Sequence, residues 1–371
     1  MDSKIIIAAF LSSVPVLLLL GATEAHVEYG AYNITCPNAE AIVFQEMTQI
    51  LATSPDLAGS LLRLHYVDCF VRGCEASILL NSTTGNTAEK DADMNKDVRG
   101  YDVIDRIKSK LEQACPGIVS CADIIALAAR DSIRLSNGPN IPIGTGRRDG
   151  NGSSAADVPL NLPSANASIT QLISFFAKYN LTAKDLVVLS GAHTIGKAHC
   201  YSFSDRLYNY NGSGNSDPRL DASYKALLSQ ECSPNDMTSL VPLDANNATA
   251  FDLGYYSGLS QMKGLLTSDV ALLDDTTTNS YVLRQANSTS PNEFFADFAN
   301  SFMIMGKIGA LTHSKGEIRR QCSAVNPPSP SPSPSPSPNS PPPPNSAEKT
   351  SAFSSLLSVG LVISYFFLQY Y

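Results

Sequence analysis

The hydrophobic residues of this chain recur mostly at the spacing of amphipathic helices. Apolar positions three and four residues apart predict helices in four segments, residues 39–51, 101–111, 121–135 and 169–179. The segment 121–135, CADIIALAARDSIRL, is apolar almost all round, and this pattern indicates a buried helix. Strand patterns are confined to short pieces. The fold class that we expect is therefore all-α.

Two polar stretches separate these segments. Residues 81–99 are rich in Asn, Asp and Thr, and residues 137–162 are rich in Gly, Pro, Asn and Ser, so both predict long loops. Further along, Thr182 and Asp185 have the spacing of a capping box. This spacing predicts that a helix begins after Thr182 and leads into the apolar run 186–189.

Another helix is predicted after residue 53, and it has two distinct faces. Ser54 suits its N-cap, and Pro55 suits its first position, where the missing N–H costs nothing. One face is a stripe of three leucines, Leu57, Leu61 and Leu64. Arg63, Tyr66 and Val67 lie together on nearly the opposite face. A guanidinium and a phenol on a helix that is buried from both sides indicate a lined pocket.

The segment that follows this helix, residues 68–77, alternates carboxylates, a hydroxyl and turn backbone in DCFVRGCEAS. Oxygen ligands in such an order are able to wrap a hard cation. On spacing alone, a capped core helix with a cysteine-stapled turn is the more frequent explanation of this pattern.

A second constellation lies at residues 189–196, LSGAHTIG, where small residues surround His193 at the end of an apolar helix. A lone histidine in that setting is more often a satisfied core residue than a ligand. Asp269, in the segment GLLTSD, is equally well explained as a helix cap.

The composition excludes several classes of protein. A formal net charge of −8 argues against nucleic-acid binding, which needs a basic surface. The 8 cysteines include no CxxC pair, so a structural zinc site is not expected. An even cysteine count in a secreted chain predicts disulfides, although eight cysteines allow 105 pairings. Neither a GxSxG nor an HExxH motif is present, which argues against a hydrolase.

The N-terminal residues 1–25 predict a signal peptide. Lys4 precedes an apolar run over residues 5–20, and residues 23–25 form a small-residue cleavage site, so the mature chain is expected to begin at His26. Eight N-x-S/T sequons favour a glycosylated secretory protein. Their asparagines are Asn33, Asn81, Asn151, Asn166, Asn180, Asn211, Asn247 and Asn287.

The C-terminal residues change in character. A Pro/Ser-rich spacer at 325–346 predicts an extended polyproline II segment, and such repeats resemble the hydroxyproline-glycosylated segments of plant cell-wall proteins. The apolar tail 347–371, preceded by small residues and a short polar spacer, favours a GPI-anchor signal. A transmembrane tail is the alternative, because about 20 apolar residues just span a bilayer. We expect tethering to the outer face of the plasma membrane.

Residues 63–80, RLHYVDCFVRGCEASILL, together with LSGAHTIG, resemble the distal helix, calcium loop and proximal motif of the secretory plant haem peroxidases, the class III family. The resemblance runs from about His26 to Cys322. It implies a two-domain haem peroxidase fold at residues 26–324, with haem b between the distal and proximal halves, two Ca²⁺ ions and a monomeric chain. It also implies four disulfides, Cys36–Cys115, Cys69–Cys74, Cys121–Cys322 and Cys200–Cys232.

The resemblance assigns roles to the candidate residues. His193 becomes the axial ligand of the haem iron, and Asp269 accepts a hydrogen bond from its second ring nitrogen. Arg63 becomes the group that stabilises charge as H2O2 is cleaved. Small phenolic donors are expected to meet the haem edge near Pro163. Cell-wall polymers are further possible partners.

Two cation sites are implied as well. The distal Ca²⁺ ligands map onto Asp68, Val71, Gly73, Glu75 and Ser77. The proximal ligands map onto Thr194, Asp244, Asn247, Ala250 and Asp252. Glu75 replaces the usual aspartate and adds one methylene. Asn247 replaces a hydroxyl residue and also begins a sequon, and a glycan there conflicts with ligation by the same side chain.

One departure from the family bears on mechanism, because Val67 stands where the family has its catalytic histidine. That histidine moves a proton between the two oxygens of H2O2, and valine cannot do so. Glu89 and Asn95 match the residues that support it. Tyr66 is a weak base, but a water held by Arg63, Asn95 and Tyr66 would relay the proton in part. His65 points about 200° away from Arg63, off the face of the pocket, so it does not replace the missing histidine.

These observations predict an extracellular peroxidase, a donor:hydrogen-peroxide oxidoreductase, whose activation by peroxide is slow. Losing a positioned acid–base group typically costs about 10²–10⁴-fold in rate. Two alternatives remain open. The first is a catalytically weak or inactive membrane-tethered haem protein that acts as a redox sensor, and the second is a structural protein of the cell wall.

Overall fold

The computed structural model describes residues 27–328, and these form a predominantly helical protein. A single two-stranded antiparallel sheet, β1 (Lys197–His199) with β2 (Leu240–Pro242), accompanies the helices in this part of the chain. The described residues contain thirteen α-helices: α1 (Ala39–Thr53), α2 (Leu57–Val71), α3 (Tyr101–Ala114), α4 (Cys121–Leu135), α5 (Val158–Asn161), α6 (Ile169–Ala177), α7 (Ala183–Ser190), α8 (Ser204–Tyr208), α9 (Ala222–Glu231), α10 (Gly254–Ser260), α11 (Thr267–Ala271), α12 (Thr276–Ala286) and α13 (Asn292–Met305). The expected all-α class is confirmed.

Helix α4 lies at the centre of the larger hydrophobic core, and α1, α2 and α3 pack against it. Every residue of α4 from Cys121 to Ile133 is buried, as its uniformly apolar sequence predicts. A second, smaller apolar cluster forms beneath α8 and α9 around Phe203 and Leu228. Burial of apolar surface at about 25 cal/mol per Å² makes these two cores the main source of stability.

The helices predicted from periodicity are present, with α1, α3 and α4 extending close to their expected bounds. The capping box is also present. The Asp185 N–H donates to Thr182 Oγ1 at 3.2 Å, and the Thr182 N–H donates to Asp185 Oδ2 at 2.8 Å. This reciprocal pair starts α7, which leads to His193.

The predicted start of α2 is wrong. The helix begins at Leu57, not at Pro55, and no side chain caps it. Helix α1 extends to Thr53, and the Ser54 N–H donates to the Ile50 carbonyl at 2.9 Å, so Ser54 ends the preceding helix. Ser54 is therefore held in the last turn of α1 and is not available to begin α2.

The two polar stretches are mainly loops, as predicted, but each contains short helical turns. In the first stretch these are 3₁₀ turns at Glu89–Asp91 and Asp93–Asn95. In the second, a 3₁₀ turn at Ala155–Asp157 runs into α5. The turns in the first stretch matter because they bring Glu89 and Asn95 inside the protein, where both are buried.

Four disulfides link the chain in the pairing that the resemblance implies. They are Cys36–Cys115, Cys69–Cys74, Cys121–Cys322 and Cys200–Cys232. The third joins the start of α4 to the C-terminal segment across 201 residues, so it closes the longest loop of the four.

Three predictions fall mainly outside the described residues. They are the signal peptide 1–25 with cleavage before His26, the spacer 325–346 beyond residue 328, and the tail 347–371. Within residues 27–328, none of the helices has the length and apolar character that crossing a bilayer requires.

A contact between two glycines positions α2 beside the segment that carries His193. A β-carbon on Gly59 would lie 2.6 Å from the Cα of Gly196, so neither backbone leaves room for a side chain. Gly196 has φ +95°, which L-residues with side chains rarely adopt. The first turns of α2 and the residues just after His193 are thereby held together.

Candidate active site

His193 lies in the 3₁₀ turn Gly191–Thr194, directly after α7, and its ring is oriented by Asp269. The Nδ1 atom lies 2.7 Å from Asp269 Oδ1. The buried carboxylate also accepts hydrogen bonds from the Tyr255 hydroxyl at 3.0 Å and from the Leu266 N–H at 2.9 Å. Burial raises the pKa of Asp269, but the His193 charge and these hydrogen bonds outweigh it, and the net pKa is lowered. Asp269 is therefore an anion that fixes the imidazole.

This arrangement fits an axial haem ligand. With Nδ1 directed at the carboxylate, Nε2 is the ring nitrogen left for a metal, and it makes no hydrogen bond within the described part of the chain. The His193 side chain is 34% exposed although Gly191 and Thr194 beside it are buried. Space is therefore open next to the ring. Haem iron is commonly ligated by a histidine, and an imidazole oriented by a carboxylate is suited to that role.

The face of α2 that bears Arg63 also carries Tyr66 and Val67, and it runs from an exposed residue to a buried one. Arg63 is exposed, and its Nη2 donates to the Met94 carbonyl at 3.0 Å. Tyr66 is half-buried with its ring 4.7 Å from that of Phe70, and burial raises its pKa despite the opposing Arg63 charge. Val67 is buried. Neither a neutral phenol nor an aliphatic side chain supplies a base here at neutral pH.

Asn95 is buried beside this face, and only the nitrogen of its side-chain amide is hydrogen-bonded within the described residues. Its Nδ2 donates to the Glu89 carbonyl at 2.9 Å. Its Oδ1 has no hydrogen-bond partner among residues 27–328. A buried acceptor without a donor costs about 1–3 kcal/mol. The amide oxygen is therefore available to a donor from outside the described residues.

The segment after α2 gathers buried oxygens that lack hydrogen-bond partners, although Glu75 Oε1 lies 3.5 Å from Arg72 Nε. Asp68 Oδ1, Glu75 Oε1, Ser77 Oγ and both Glu89 carboxylate oxygens make no hydrogen bond in the described structure. Asp68 Oδ2 accepts the Ala76 N–H at 3.1 Å. Burial, reinforced by the neighbouring carboxylates, raises the pKa of Asp68 well above its usual value, and burial raises those of Glu75 and Glu89 to about 7. Crowded carboxylates with free lone pairs fit a hard cation.

Backbone geometry completes this segment. Gly73 has φ +104°, and a β-carbon there would lie 2.7 Å from the Cα of Gly309, so only glycine suits the turn. The turn presents the main chain of Val71 and Gly73 between Asp68 and Glu75. No three His, Cys, Asp or Glu side chains form a metal-holding group in residues 27–328. Any cation here therefore depends on hydroxyl and backbone oxygens as well as carboxylates.

The second predicted cation site brings four of its five residues together. Thr194 Oγ1 lies 3.1 Å from Asp252 Oδ1, 3.3 Å from the Ala250 carbonyl and 3.4 Å from Asp244 Oδ2. One hydroxyl proton cannot satisfy three acceptors, so this oxygen cluster also fits a hard cation. Burial, with the Asp252 charge, raises the pKa of Asp244. The fifth residue, Asn247, is exposed.

The Asn247 side chain interacts with the third residue of its own sequon. Its Oδ1 accepts hydrogen bonds from the Thr249 N–H at 3.0 Å and from the Thr249 hydroxyl at 2.9 Å. The amide oxygen is thus engaged away from Thr194, and the structure does not bring the Asn247 side chain into the oxygen cluster.

Pro163 lies in a loop, and His65 lies on the face of α2 opposite Arg63. Pro163 is half-buried in the loop between α5 and α6. His65 is buried on the inner side of α2, with its ring 5.1 Å from that of Phe302. Burial, with the Arg147 charge, lowers the His65 pKa to about 3. His65 therefore stays neutral and lies off the face of Arg63, as the helical spacing predicts.

Sequence reasoning placed Glu89 only beside the missing histidine. In the structure its charge also acts on Asp68 and Glu75, so Glu89 belongs electrostatically to the first oxygen cluster. Its position in a polar loop gave no signal of this, because the 3₁₀ turn that buries it has no periodicity to detect.

Comparison with known proteins agrees with this geometry. The family model described as Peroxidase matches residues 43–288. Peroxidase 1 of Oryza sativa subsp. japonica is 46% identical over 329 residues, which are 88% of this chain and 99% of that protein. Peroxidases 3 and 39 of Arabidopsis thaliana are 48% and 49% identical, each over 83% of this chain and over 94% and 95% of their own lengths. The chain therefore belongs to the peroxidase family, as a haem peroxidase of the class III plant group.

Proposed function

We propose that this protein is an extracellular peroxidase that oxidises phenolic donors with H2O2 and that reacts with the peroxide slowly. The observation that carries the proposal is that Val67 has no titratable group while the buried Asn95 Oδ1 has no donor within residues 27–328. In the family, a histidine in place of Val67 would donate to such an amide oxygen. Here the supporting residue remains and the proton carrier is absent.

The chain's residues are suited to hold haem. His193 would bind the iron through Nε2, and Asp269 would hold the imidazole in the required tautomer. When bound, haem would carry the two oxidising equivalents of H2O2 to the donors. Calcium ions at the two oxygen clusters would fix the ends of the segments that carry Asp68 and Thr194.

Arg63 supplies charge stabilisation without proton transfer. Its exposed guanidinium would stabilise the negative charge that develops on the departing oxygen of H2O2. The proton that must move from one peroxide oxygen to the other has no side-chain carrier, so it would pass through water held by Arg63 and Asn95 Oδ1. Such a relay lacks a base with a pKa near neutrality, and the expected loss is about 10²–10⁴-fold in the rate of reaction with H2O2.

The proposed cellular location and the proposed electron donor rest on other parts of the chain. The signal peptide, the eight sequons and the Pro/Ser-rich spacer support export to the cell wall, and the order of segments in the apolar tail supports a GPI anchor on the plasma membrane. All eight sequon asparagines are exposed. Phenolic donors would approach near Pro163.

The test is stopped-flow mixing of the haem-loaded protein with H2O2, followed by the Soret absorption. We expect a slow bimolecular rate that rises by about 10²–10⁴-fold in Val67→His. A rapid rate in the natural chain, unchanged in Val67→His, would refute slow activation. The haem band in the unreacted protein reports cofactor binding separately.

The same observation supports a second candidate, a haem protein without useful turnover that senses peroxide. Steady oxidation of guaiacol by the haem-loaded protein would count against it. A purified protein that binds no haem and shows no Soret band would instead favour a structural role in the cell wall.

A further inference from the structure

A groove of about 430 Å³ lies between α1 and the C-terminal turns of α4, and it shares no residue with the site described above. Helix α1 contributes Phe44, and α4 contributes Arg130 and Arg134. Asn140 and Tyr29 line it from the adjoining loops. Its rim is open to solvent, because Arg134, Asn140 and Tyr29 are all exposed.

The two arginines of the groove are in different states. Arg130 is largely buried and is paired with two carboxylates. Its guanidinium lies 2.9 and 3.2 Å from the two Asp131 carboxylate oxygens and 2.5 Å from Glu40 Oε2. Arg134, one turn further along α4, has no ion pair and no hydrogen bond to any residue in 27–328. Arg134 therefore keeps all its N–H donors for a ligand.

Phe44 holds this free guanidinium in place. The Arg134 Cζ atom lies 4.3 Å from the centre of the Phe44 ring, a cation–π contact. A planar guanidinium fixed over a ring loses less freedom when it binds, and its paired N–H groups match a carboxylate. The nearest acid on the same helix, Asp131, already has both oxygens bonded to Arg130.

The rest of the groove fits the body of a ring-shaped ligand. Tyr29 and Pro142, both exposed, offer apolar surface, and the Asn140 amide offers both a donor and an acceptor to hydroxyl groups. Ligand sites commonly combine apolar walls with a few polar groups of this kind. A ring that carries a carboxylate and several hydroxyls is complementary to all three features.

We propose that this groove binds the carboxylate-bearing sugar rings of an acidic polysaccharide, with Arg134 as the residue that recognises the carboxylate. The open rim allows a polymer to pass across it. The protein carries a net charge of −8, so binding of a polyanion depends on this local cation and not on overall attraction. The proposal does not depend on peroxidase activity.

The chain offers a matched control for Arg134. Arg284 also lies over an aromatic ring, with Cζ 4.9 Å from the centre of Tyr281, but its Nε is paired with Glu293 at 3.0 Å. Both residues are exposed, and replacing either by glutamine removes one positive charge. The two variants therefore have equal net charge and differ only in which guanidinium was free.

The experiment is calorimetric titration of the secreted full chain with an oligogalacturonate at physiological salt. We expect measurable binding that weakens at least about tenfold in Arg134→Gln and stays unchanged in Arg284→Gln. Glu40→Gln removes the carboxylate that lines the groove and leaves Arg130 bonded to Asp131, so it should tighten binding. Thermal unfolding of each variant verifies that it is folded.

Several results would overturn the proposal. These are no binding to the natural chain, equal weakening by both arginine variants, or equal affinity for a neutral oligosaccharide of the same length. A small aromatic acid such as ferulate also presents a carboxylate on a ring. Binding of ferulate without binding of the oligogalacturonate would overturn the polysaccharide assignment.

Discussion

The carboxylate of Glu75 lies against the backbone of Gly150, in the volume that a side chain at position 150 would occupy. A β-carbon built on Gly150 would overlap Oε2 of Glu75 and lie 2.7 Å from its Oε1. The Gly150 N–H also donates to the Glu75 carbonyl at 2.7 Å, which fixes the two backbones side by side. The methylene by which Glu75 exceeds the usual aspartate is accommodated because residue 150 is glycine.

We expect Gly150→Ala to displace the Glu75 carboxylate and to empty the proposed distal calcium site. Bound calcium, measured by elemental analysis of purified protein, should fall by one ion per chain, and the unfolding temperature should fall with it. Adding Glu75→Asp to Gly150→Ala should restore both, because the shorter side chain no longer reaches position 150.

Gly152→Ala is the matched control, since a β-carbon there would meet only the Arg72 guanidinium at an ordinary 3.4 Å. It should retain the calcium content of the natural chain. A Gly150→Ala protein that keeps its full calcium content would show that the Glu75 carboxylate is not a ligand in this chain.

The coupling between Asn95 and residue 67 gives a second prediction. In the natural chain Asn95 Oδ1 has no donor within residues 27–328 and can hold only the water of a relay that is already slow, so Asn95→Ala should lower the rate of reaction with H2O2 by less than about threefold. In a Val67→His background the same change should cost about tenfold or more, because the amide oxygen then orients the new imidazole.

Stopped-flow rates of the four proteins form the double-mutant cycle, and the interaction energy is the quantity tested. Equal effects of Asn95→Ala in both backgrounds would mean that residue 67 is not the partner of this amide. Asn95→Ala also removes the Nδ2 bond to Glu89, so the unfolding free energy of each protein is measured alongside.

Hydrophobic periodicity predicted α1, α3, α4 and α6, because the residues that form the buried face of a helix lie three or four positions apart in the sequence. The capping preference of serine gave the wrong result at Ser54, because α1 extends to Thr53 and Ser54 ends that helix. His193 and Asp269 required the family resemblance, since a histidine and a carboxylate 76 residues apart carry no local signal of their 2.7 Å contact. The Glu75–Gly150 and Phe44–Arg134 contacts likewise depend on tertiary packing alone.

His65 provides a prediction about stability and pH. Its pKa is about 3 in the folded protein, lowered by burial and then by Arg147, against about 6.5 in an unfolded chain. Between these values the unfolded state binds a proton that the folded state does not, so stability is lost as pH falls below about 6.5. The slope is about 1.4 kcal/mol per pH unit for one such group.

Chemical unfolding at pH 7, 6, 5 and 4 checks this. His65→Gln should lower stability at pH 7, because buried packing against Phe302 changes, but should show a shallower loss between pH 6 and pH 4. His313→Asn is the control, since His313 is exposed and asparagine tolerates its φ of +58°. An unchanged pH slope in His65→Gln would show that another group accounts for acid sensitivity.

Asn247 gives the last prediction, because its side chain is directed at its own sequon and not at the oxygen cluster around Thr194. We expect the secreted protein to carry a glycan on Asn247 and to bind its proximal calcium through Thr194, Asp244, Ala250 and Asp252. Asn247→Gln should therefore remove one glycan, seen as a mass change of the intact protein, and leave the calcium content unaltered. Thr194→Val, similar in size but without the hydroxyl oxygen, should lose one calcium ion and keep the glycan. If Asn247→Gln instead released calcium, the amide would have to turn inward when the ion binds, and the glycan and the ion would then exclude one another at this loop.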